Sequence, residues 1–320
     1  MKAAVLHELG QIPRCEPFSD PVAGEGELIL EVLAAALKPV DKAIAAGSHY
    51  ATPRKLPVVC GLDGVGRRQD GTRVFFAGPR VPFGAMAERT VVDQARCMPL
   101  PEGLDTLVAA ALPNPGMSAW LSLTHRARLV PGETVLILGA TGVAGQLAVQ
   151  IAKLLGAARV VAAGRNAQVL GRLRELGADA TISLEQSPAE LAAAFARHAE
   201  DGGFQVVLDY VWGPPTEALL SALTRSGFFV VKCETRLVQM GETAGPTISL
   251  AASVLRSTAL IILGTAGIPP RDVIEDAFRE LMLRASKGEV SIEAEQIPLA
   301  ETETAWKRHD LHGRRLVITP

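Results

Sequence analysis

The sequence has few aromatic residues, little net charge and no long apolar run. Phe, Trp and Tyr make up 4% of its 320 residues, and the formal net charge is −2 at pH 7. A chain without a broad basic face is not expected to bind nucleic acid. Apolar runs such as ALIIL fall far short of the roughly 18 residues that span a bilayer, and MKAAVLHELG at the start lacks the apolar core of a signal peptide. The sequence therefore predicts a cytoplasmic protein with neither nucleic acid nor membrane as a partner.

Cysteine patterns typical of metal sites are also lacking. Cys15, Cys60, Cys97 and Cys233 lie tens of residues apart, with no CxxC pair and no histidine at ligand spacing. A structural zinc site needs four closely placed Cys or His ligands. We therefore expect buried, reduced thiols, and neither disulfides nor a metal.

The length is typical of about two domains, and the apolar pattern changes after PNPGMSAW. From residue 1 to about 114, short strand-like runs alternate with Gly and Pro, which indicates a mostly β unit. Beyond it, apolar runs alternate with amphipathic segments such as GQLAVQIAKLLGA, a pattern that favours a parallel sheet covered by helices on both faces. The strands predicted there are 135–140, 159–164, 180–184, 205–210, 228–233 and 259–264.

The stretch ILGATGVAG, residues 137–145, joins the first of these strands to a helix. Gly142 and Gly145 match two positions of the GxGxxG fingerprint, and Ala140 replaces its first glycine. In this setting Gly142 lets backbone approach a diphosphate, Gly145 lets helix and strand pack closely, and the N–H groups of the helix start face the anion. The alternative is a tight turn without a ligand. The residues predicted to bind a dinucleotide here are Thr141, Gly142, Val143, Ala144 and Gly145.

The end of the second strand indicates which dinucleotide binds. An acidic residue about 20 positions after the loop would hold the ribose 2′-OH of NAD. Here Gly164 is followed by Arg165 and Asn166. A guanidinium can bind a 2′-phosphate through two parallel charge-assisted bonds. We therefore predict NADP(H) as the cofactor, with Asn166 as a second donor; the alternative is a solvated loop arginine.

Six segments carry a resemblance to a known family: MKAAVLHELG, LKPVDKAIAAG, LPVVCGLDGVG, FGAMAERTVVD, VPGETVLILGATGVAGQLAVQIAKLLGA and GRRLVITP. With a β-rich first domain, a nucleotide domain and a return segment, the chain resembles the medium-chain dehydrogenase/reductase superfamily over essentially its whole length. Within it, the chain resembles the zinc-independent quinone oxidoreductase and enone reductase group. The resemblance implies an α/β fold in which a Rossmann doubly wound parallel sheet domain, 115–267, is joined to a mostly β GroES-like catalytic domain, 1–114 and 268–320.

The chain departs from the zinc-dependent alcohol dehydrogenases of this superfamily at their metal ligands. Those enzymes have Cys three residues before the Asp that matches Asp41, where this chain has Lys38. Where they have Gly-His-Glu, this chain has Gly61-Leu62-Asp63. A catalytic zinc needs three protein ligands of N, S or O type. The resemblance therefore implies an enzyme without zinc.

Without a metal, hydride transfer from NADPH suits an acceptor such as a quinone or an α,β-unsaturated carbonyl, because fixed donors can stabilise the charge on its oxygen. The resemblance points to Tyr50 as the donor, with His49 as the alternative. Lys38 is either an ammonium pointing into the cleft or a surface lysine before Pro39. Asp41 is expected to orient backbone or ribose rather than to act as a base.

The resemblance also implies contacts for the rest of the cofactor. These are Ser118, Thr265, Ala266 and Gly267 against the nicotinamide, and Tyr210 and Val211 on the adenine side. Buried packing roles are the alternative. Arg314 or Arg315 is either directed to the cofactor phosphates or part of a solvated basic pair.

Two other functions stay open at this point. One is an NADPH-binding protein that is not primarily an enzyme, as lens crystallins related to this family illustrate. The other is an enoyl-thioester reductase, which would need basic residues for an acyl carrier. Relatives in the group dimerise by extending the sheet through its last strand, here near ALIIL, so we expect a homodimer.

Overall fold

The computed structural model describes residues 1–200, 202–224, 233–265 and 269–320. The chain forms two compact units. The first unit consists of Met1–Asn114 and Phe278–Pro320, and the second unit consists of Pro115–Ala277.

The elements are numbered along the whole chain. The strands are β1 Lys2–Leu6, β2 Arg14–Pro17, β3 Glu27–Leu37, β4 Val58–Val59, β5 Asp63–Arg67, β6 Arg73–Ala77, β7 Arg89–Asp93, β8 Cys97–Pro99, β9 Thr134–Leu138, β10 Arg159–Gly164, β11 Ala180–Ser183, β12 Val206–Asp209, β13 Glu234–Gln239, β14 Ala259–Gly264, β15 Ala294–Pro298 and β16 Arg315–Thr319. The helices are α1 Pro39–Ala45, α2 Thr106–Ala111, α3 Pro113–Leu121, α4 Val143–Leu154, α5 Ala167–Arg172, α6 Pro188–His198, α7 Gly213–Leu223, α8 Ala252–Ser257, α9 Arg271–Ser286 and α10 Thr302–Lys307.

The first unit is mostly β. Its described strands form a seven-stranded sheet in the order β15-β16-β3-β5-β6-β8, with β7 also paired to β3, and a three-stranded sheet in the order β2-β1-β4. Leu30, Phe76 and Trp306 are among the residues of its apolar core. The long strand β3 becomes fully buried toward its end and leads directly into α1. Pro39 begins α1, where its missing N–H removes no helical hydrogen bond.

The second unit contains a parallel sheet. Its described strands lie in the order β11-β10-β9-β12-β13-β14, the 3-2-1-4-5-6 order of a dinucleotide-binding Rossmann sheet. Leu191 and Phe195 of α6 pack with Leu136 and Val161 of the sheet in one apolar cluster. The predicted α/β fold, with one parallel-sheet unit and one mostly antiparallel unit, is confirmed.

One strand of the parallel sheet was predicted in the wrong place. The sheet position between β12 and β14 is filled by β13, Glu234–Gln239, and not by the predicted strand 228–233, whose residues 228–232 lie outside the described residues. The sequence ETRLVQ is more polar than is usual for an internal strand, but its polar side chains have partners. The Thr235 hydroxyl donates to the Phe204 carbonyl at 2.8 Å, and the Arg236 guanidinium donates to the Ala127 carbonyl at 2.6 Å. The other five predicted strands are confirmed to within two residues at each end.

Two expectations from the composition bear on the fold. In the described ranges, no helix combines the length and the apolar composition of a membrane span. The four cysteines form no disulfide, but only Cys60 is buried; Cys15, Cys97 and Cys233 are half-buried, so the expectation of buried thiols is wrong for these three.

Candidate functional site

The strand order of the second unit locates a candidate site. β9 lies between β10 and β12, and the chain reverses its direction of travel across the sheet at this point. Ligands of open α/β sheets bind outside the carboxyl ends of the strands at such a switch point. The turns that follow β9, β10 and β12 are therefore the candidate dinucleotide site.

The turn after β9 packs the start of α4 tightly against the strand end. Gly139 has φ +89°, a left-handed conformation that favours glycine. A Cβ on Gly145 would lie 2.3 Å from the Gly139 carbonyl oxygen and 2.5 Å from the Ala140 Cα. Both distances are too short for real atoms, so the close helix–strand packing predicted for Gly145 is present.

Gly142 faces open space at the start of the same helix. It is the N-cap of α4, and a Cβ there would meet only the Gly139 carbonyl oxygen, at 3.5 Å. The amides of Val143 and Ala144 follow in the first helical turn, where an α-helix offers no internal acceptor. These amides and the positive end of the helix dipole favour an anion. The turn thus has both the room and the donors for a diphosphate.

The end of β10 carries a cation beside this turn. Gly164 lies against Thr141, since a Cβ on Gly164 would lie 2.4 Å from the Thr141 Cγ2. Arg165 comes next and is exposed, with no hydrogen bond or ion pair to any residue that the structure describes. Asn166 caps α5 by accepting a hydrogen bond from the Val169 amide at 3.0 Å. The Arg165 guanidinium is therefore available to an anionic ligand.

The turn after β12 is held by a buried carboxylate. Asp209 accepts hydrogen bonds from the Val211 amide at 2.9 Å, the Trp212 amide at 2.8 Å and the Thr216 hydroxyl at 2.6 Å. Burial raises the pKa of Asp209, and these three hydrogen bonds oppose that rise. Trp212 adopts φ +56°, which is unusual for a non-glycine residue. Sequence reasoning missed this strained residue, because no local motif marks it at the strand end.

Tyr210 and Val211 in this turn pack against the glycine turn. A Cβ on Gly139 would lie 3.1 Å from the Tyr210 Cβ and 3.0 Å from the Val211 Cγ1. The Tyr210 phenol oxygen is buried and has no hydrogen-bond partner among the described residues, and burial raises the pKa of its hydroxyl. Their contact with an adenine stays a prediction.

The predicted nicotinamide contacts lie outside the turns that follow β9, β10 and β12. Ser118 lies on α3 and Thr265 follows β14, and both are exposed. Ala266 and Gly267 lie outside the described residues. These contacts stay predictions.

The first unit buries four charged side chains where β3, α1, β5 and β16 meet. We call Lys38, Asp41, Asp63 and Arg315 the Lys38 cluster. The Lys38 side chain is 0% exposed, and its Nζ donates to the Asp63 Oδ1 at 2.7 Å and lies 3.4 Å from the Asp41 Oδ2. Burial alone would lower the pKa of Lys38, but Asp41 and Asp63 outweigh burial and raise it above its usual value.

Both expectations for Lys38 are wrong. Lys38 is not a surface residue, because two carboxylates compensate its charge in the interior. Its ammonium is also committed to internal partners rather than presented to a cleft. Asp41 orients backbone as expected: its carboxylate accepts the Lys38 amide at 2.8 Å and the Leu62 amide at 3.3 Å.

Arg314 and Arg315, near the end of the sequence, do not form the solvated basic pair that was one of the two expectations. Arg315 is 7% exposed and donates from Nη1 to the Leu37 carbonyl at 3.2 Å. Burial lowers the pKa of Arg315, opposed by Asp41 and Asp63. Arg314 pairs with Glu295 at 3.1 Å. Sequence reasoning missed Asp63 as the partner of Lys38 and Arg315 as a second buried cation beside the same carboxylates, because both residues are remote from Lys38 along the chain.

An apolar cavity of about 100 Å³ lies beside the Lys38 cluster. Asp41 and Leu62 reach its wall. Burial raises the pKa of the Cys60 thiol to about 12, so this thiol is not a nucleophile near neutral pH. The cavity is partly open to solvent, so a small molecule can enter it. Its apolar lining includes Leu6, Ile44, Val58, Val59, Cys60 and Phe83.

Tyr50 and His49 precede two residues of the cavity lining, Ala51 and Pro53. Tyr50 is 98% exposed, and its ring stacks on His49 with the ring centroids 4.0 Å apart. The His49 Nδ1 accepts a hydrogen bond from the Ala51 amide at 3.1 Å. A neutral imidazole held in this way carries its proton on Nε2. Both side chains can therefore donate a hydrogen bond near the cavity.

Comparison with known proteins identifies similar chains. Residues 143–270 match the family model described as zinc-binding dehydrogenase. A probable NADPH-dependent quinone reductase of Emericella nidulans is 27% identical, over 92% of this chain and 92% of that protein. The chloroplastic NADPH-dependent alkenal/one oxidoreductase of Arabidopsis thaliana is 31% identical, over 72% of this chain and 66% of that protein. The crystal structure of the quinone oxidoreductase from Thermus thermophilus, also solved with NADPH, is 30% identical over 100% of both chains, with a TM-score of 0.80.

Proposed function

Because the chain belongs to the quinone oxidoreductase group of the medium-chain dehydrogenase/reductase superfamily, we propose that it transfers hydride from NADPH to a quinone or an α,β-unsaturated carbonyl. The observation that carries the proposal is the exposed Arg165 guanidinium, which has no partner among the described residues and lies beside the open turn at Gly142. The helix amides after β9 match the diphosphate of NADPH, and the cation after β10 matches its 2′-phosphate. The relatives named as NADPH-dependent reductases support the same cofactor.

The residues present do not fit a catalytic zinc ion, although the matching family model is described as zinc-binding. Leu62 offers no ligand atom, and the Lys38 ammonium already bonds to Asp63. Within the described part of the chain, no group of three or more His, Cys, Asp or Glu side chains could hold a metal. We therefore propose that the reaction proceeds without zinc.

Bound NADPH would supply the hydride, and the chain's own residues would hold it and stabilise the acceptor. In this proposal the Val143 and Ala144 amides hold the diphosphate and Arg165 holds the 2′-phosphate. The acceptor lies in the apolar cavity, where Tyr50 or His49 donates a hydrogen bond to its oxygen. Fixed donors of this kind preferentially stabilise charge that develops in the transition state. Ser118, Thr265, Tyr210 and Val211 remain proposed cofactor contacts.

The activity is tested by following NADPH absorbance with a panel of small quinones, enones and enoyl thioesters. We expect turnover with quinones or enones, no loss of activity with a zinc chelator, and no stoichiometric zinc in the purified protein by elemental analysis. NADPH binding without turnover of any acceptor would favour the non-enzymatic alternative. Turnover restricted to enoyl thioesters would favour the thioester reductase.

The hydrogen-bond donor is tested by comparing Tyr50→Phe with His49→Ala. Removal of the true donor is expected to lower kcat by about 100-fold, because the developing oxyanion loses a fixed donor. The KM for NADPH should stay unchanged, since neither residue lies in the nucleotide unit. If both variants keep the parental kcat, neither residue is the donor.

We also propose a homodimer formed through β14. This strand ends the sheet order, and its outer edge has no partner among the described strands. Ile261 and Ile262 on β14 are 39% and 38% exposed, although strands of a parallel sheet are usually covered. Ile262→Lys is expected to yield monomers by analytical ultracentrifugation. Leu283→Lys, at a 39% exposed residue of the first unit, is the matched control and should leave the dimer intact; a monomeric parent protein would contradict the proposal.

We further propose a cytoplasmic location, as the sequence predicts. Fractionation of cells that produce the protein tests it, and recovery in another compartment would contradict it.

A further inference from the structure

We propose that the Lys38 ammonium is a fixed internal cation that positions the wall of the apolar cavity. An ammonium has three donors and no acceptor. The Lys38 Nζ faces three oxygen atoms: the Asp63 Oδ1 at 2.7 Å, the Ala36 carbonyl at 3.3 Å and the Asp41 Oδ2 at 3.4 Å. All three donors are thus directed at oxygen, as the ligands of a small bound cation would be.

The charges of the Lys38 cluster balance. Lys38 and Arg315 supply two positive charges, and Asp41 and Asp63 supply two negative charges. Without Lys38, one guanidinium would face two buried carboxylates. A buried charge without compensation is strongly destabilising. The stability of the first unit therefore depends on the positive charge of Lys38 at this position.

The cluster reaches the cavity through Leu62. The Asp41 carboxylate accepts the amides of both Lys38 and Leu62, and Asp63 is the next residue after Leu62 in the chain. Lys38 therefore holds the carboxylate that accepts the Leu62 amide and the carboxylate of the residue that follows Leu62, and both Leu62 and Asp41 line the cavity. Gly61, which precedes Leu62, packs closely against Met86, because a Cβ there would lie 2.9 Å from the Met86 amide nitrogen.

Lys38 is accordingly a positioning residue and not a catalytic one. Its side chain is fully buried, with its ammonium committed to protein oxygen atoms. Its effect on an acceptor must pass through Asp41 and Leu62. This part of the inference rests on the proposed function, since it assumes that the acceptor occupies the cavity.

The test is chemical rescue of Lys38→Ala, which removes three carbons and the ammonium, the same heavy atoms that n-propylammonium carries. We expect a lower Tm and a KM for the acceptor raised on the order of tenfold, because the cavity wall shifts. The KM for NADPH should not change. Millimolar n-propylammonium should restore both the Tm and the acceptor KM, whereas n-propanol, of similar size but neutral, should restore neither. Lys42→Ala is the matched control and should show no response to the amine. Lys42 is a half-buried lysine on α1, the helix that follows Lys38, and it donates to the Arg308 carbonyl.

Rescue by n-propanol as strong as that by n-propylammonium would overturn the proposal, since only a void would then be filled. An unchanged Tm and acceptor KM in Lys38→Ala would overturn it as well. If Lys38→Ala does not fold, the double variant Lys38→Met with Asp63→Asn serves instead, because it removes one charge of each sign. This double variant should fold, and it should show a raised KM for the acceptor and no response to the amine. An acceptor KM equal to that of the parent would overturn the proposal. The thermal measurement needs no turnover, so a parent protein inactive on every acceptor would count against the proposed function alone.

Discussion

Arg165→Asp is expected to reverse the cofactor preference from NADPH to NADH. The substitution would remove the two charge-assisted hydrogen bonds that we propose to the 2′-phosphate, each worth about 1.5–3 kcal/mol, so kcat/KM for NADPH should fall at least about 100-fold. The new carboxylate repels the phosphate dianion and can accept a hydrogen bond from the ribose 2′-OH of NADH. The measurement is the ratio of kcat/KM for NADPH to kcat/KM for NADH, with one acceptor, before and after the substitution.

The control for this prediction is Arg174→Asp. Arg174 is exposed and lies in the same segment after β10, so its replacement changes the net charge by the same amount. A loss of NADPH activity from general repulsion would appear in both variants, whereas a local contact predicts a loss in Arg165→Asp alone. If the ratio of kcat/KM for NADPH to kcat/KM for NADH is unchanged in Arg165→Asp, Arg165 does not contact the cofactor.

The residues of the nucleotide unit could be predicted because their signals are local. Gly142, Gly145 and Arg165 sit at fixed short distances from apolar strands, and a strand followed by a turn and a helix has few possible geometries. Their spacing along the sequence is therefore enough to predict that these residues lie close together at the ends of neighbouring strands. The strand β13 could not be predicted in this way, because the partners of its polar side chains lie on loops that are distant in the sequence.

The Lys38 cluster could not be predicted because it depends on contacts between distant segments. Asp63 lies on the strand that pairs with β3, and Arg315 lies on another strand paired with β3. A single sequence shows the charge of Lys38 but not the two carboxylates that compensate it. Without those partners, a lysine before proline is expected at the surface. The same limit applies to Tyr50 and His49, whose stacking depends on the path of a loop.

Gly142→Ala and Gly145→Ala are expected to separate the two roles of the glycine turn. At Gly145 the new methyl would lie 2.3 Å from the Gly139 carbonyl oxygen, so α4 must move away from β9. Overpacking of this kind lowers the free energy of unfolding by about 1–3 kcal/mol, and the displaced helix amides should bind NADPH more weakly. The free energy of unfolding and the affinity for NADPH should therefore both fall in Gly145→Ala.

Gly142→Ala should lose affinity for NADPH while the fold keeps its stability. Gly142 has φ −78°, which any residue can adopt, and its Cβ would meet only one protein atom, at 3.5 Å. The free energy of unfolding in urea should stay within about 0.5 kcal/mol of the parent. The added methyl occupies the approach to the helix amides, so the Kd for NADPH in a fluorescence titration should rise about tenfold to 100-fold, the equivalent of one charge-assisted hydrogen bond. Parental affinity in Gly142→Ala would place the diphosphate elsewhere, and parental stability in Gly145→Ala would contradict the close packing of α4 on β9.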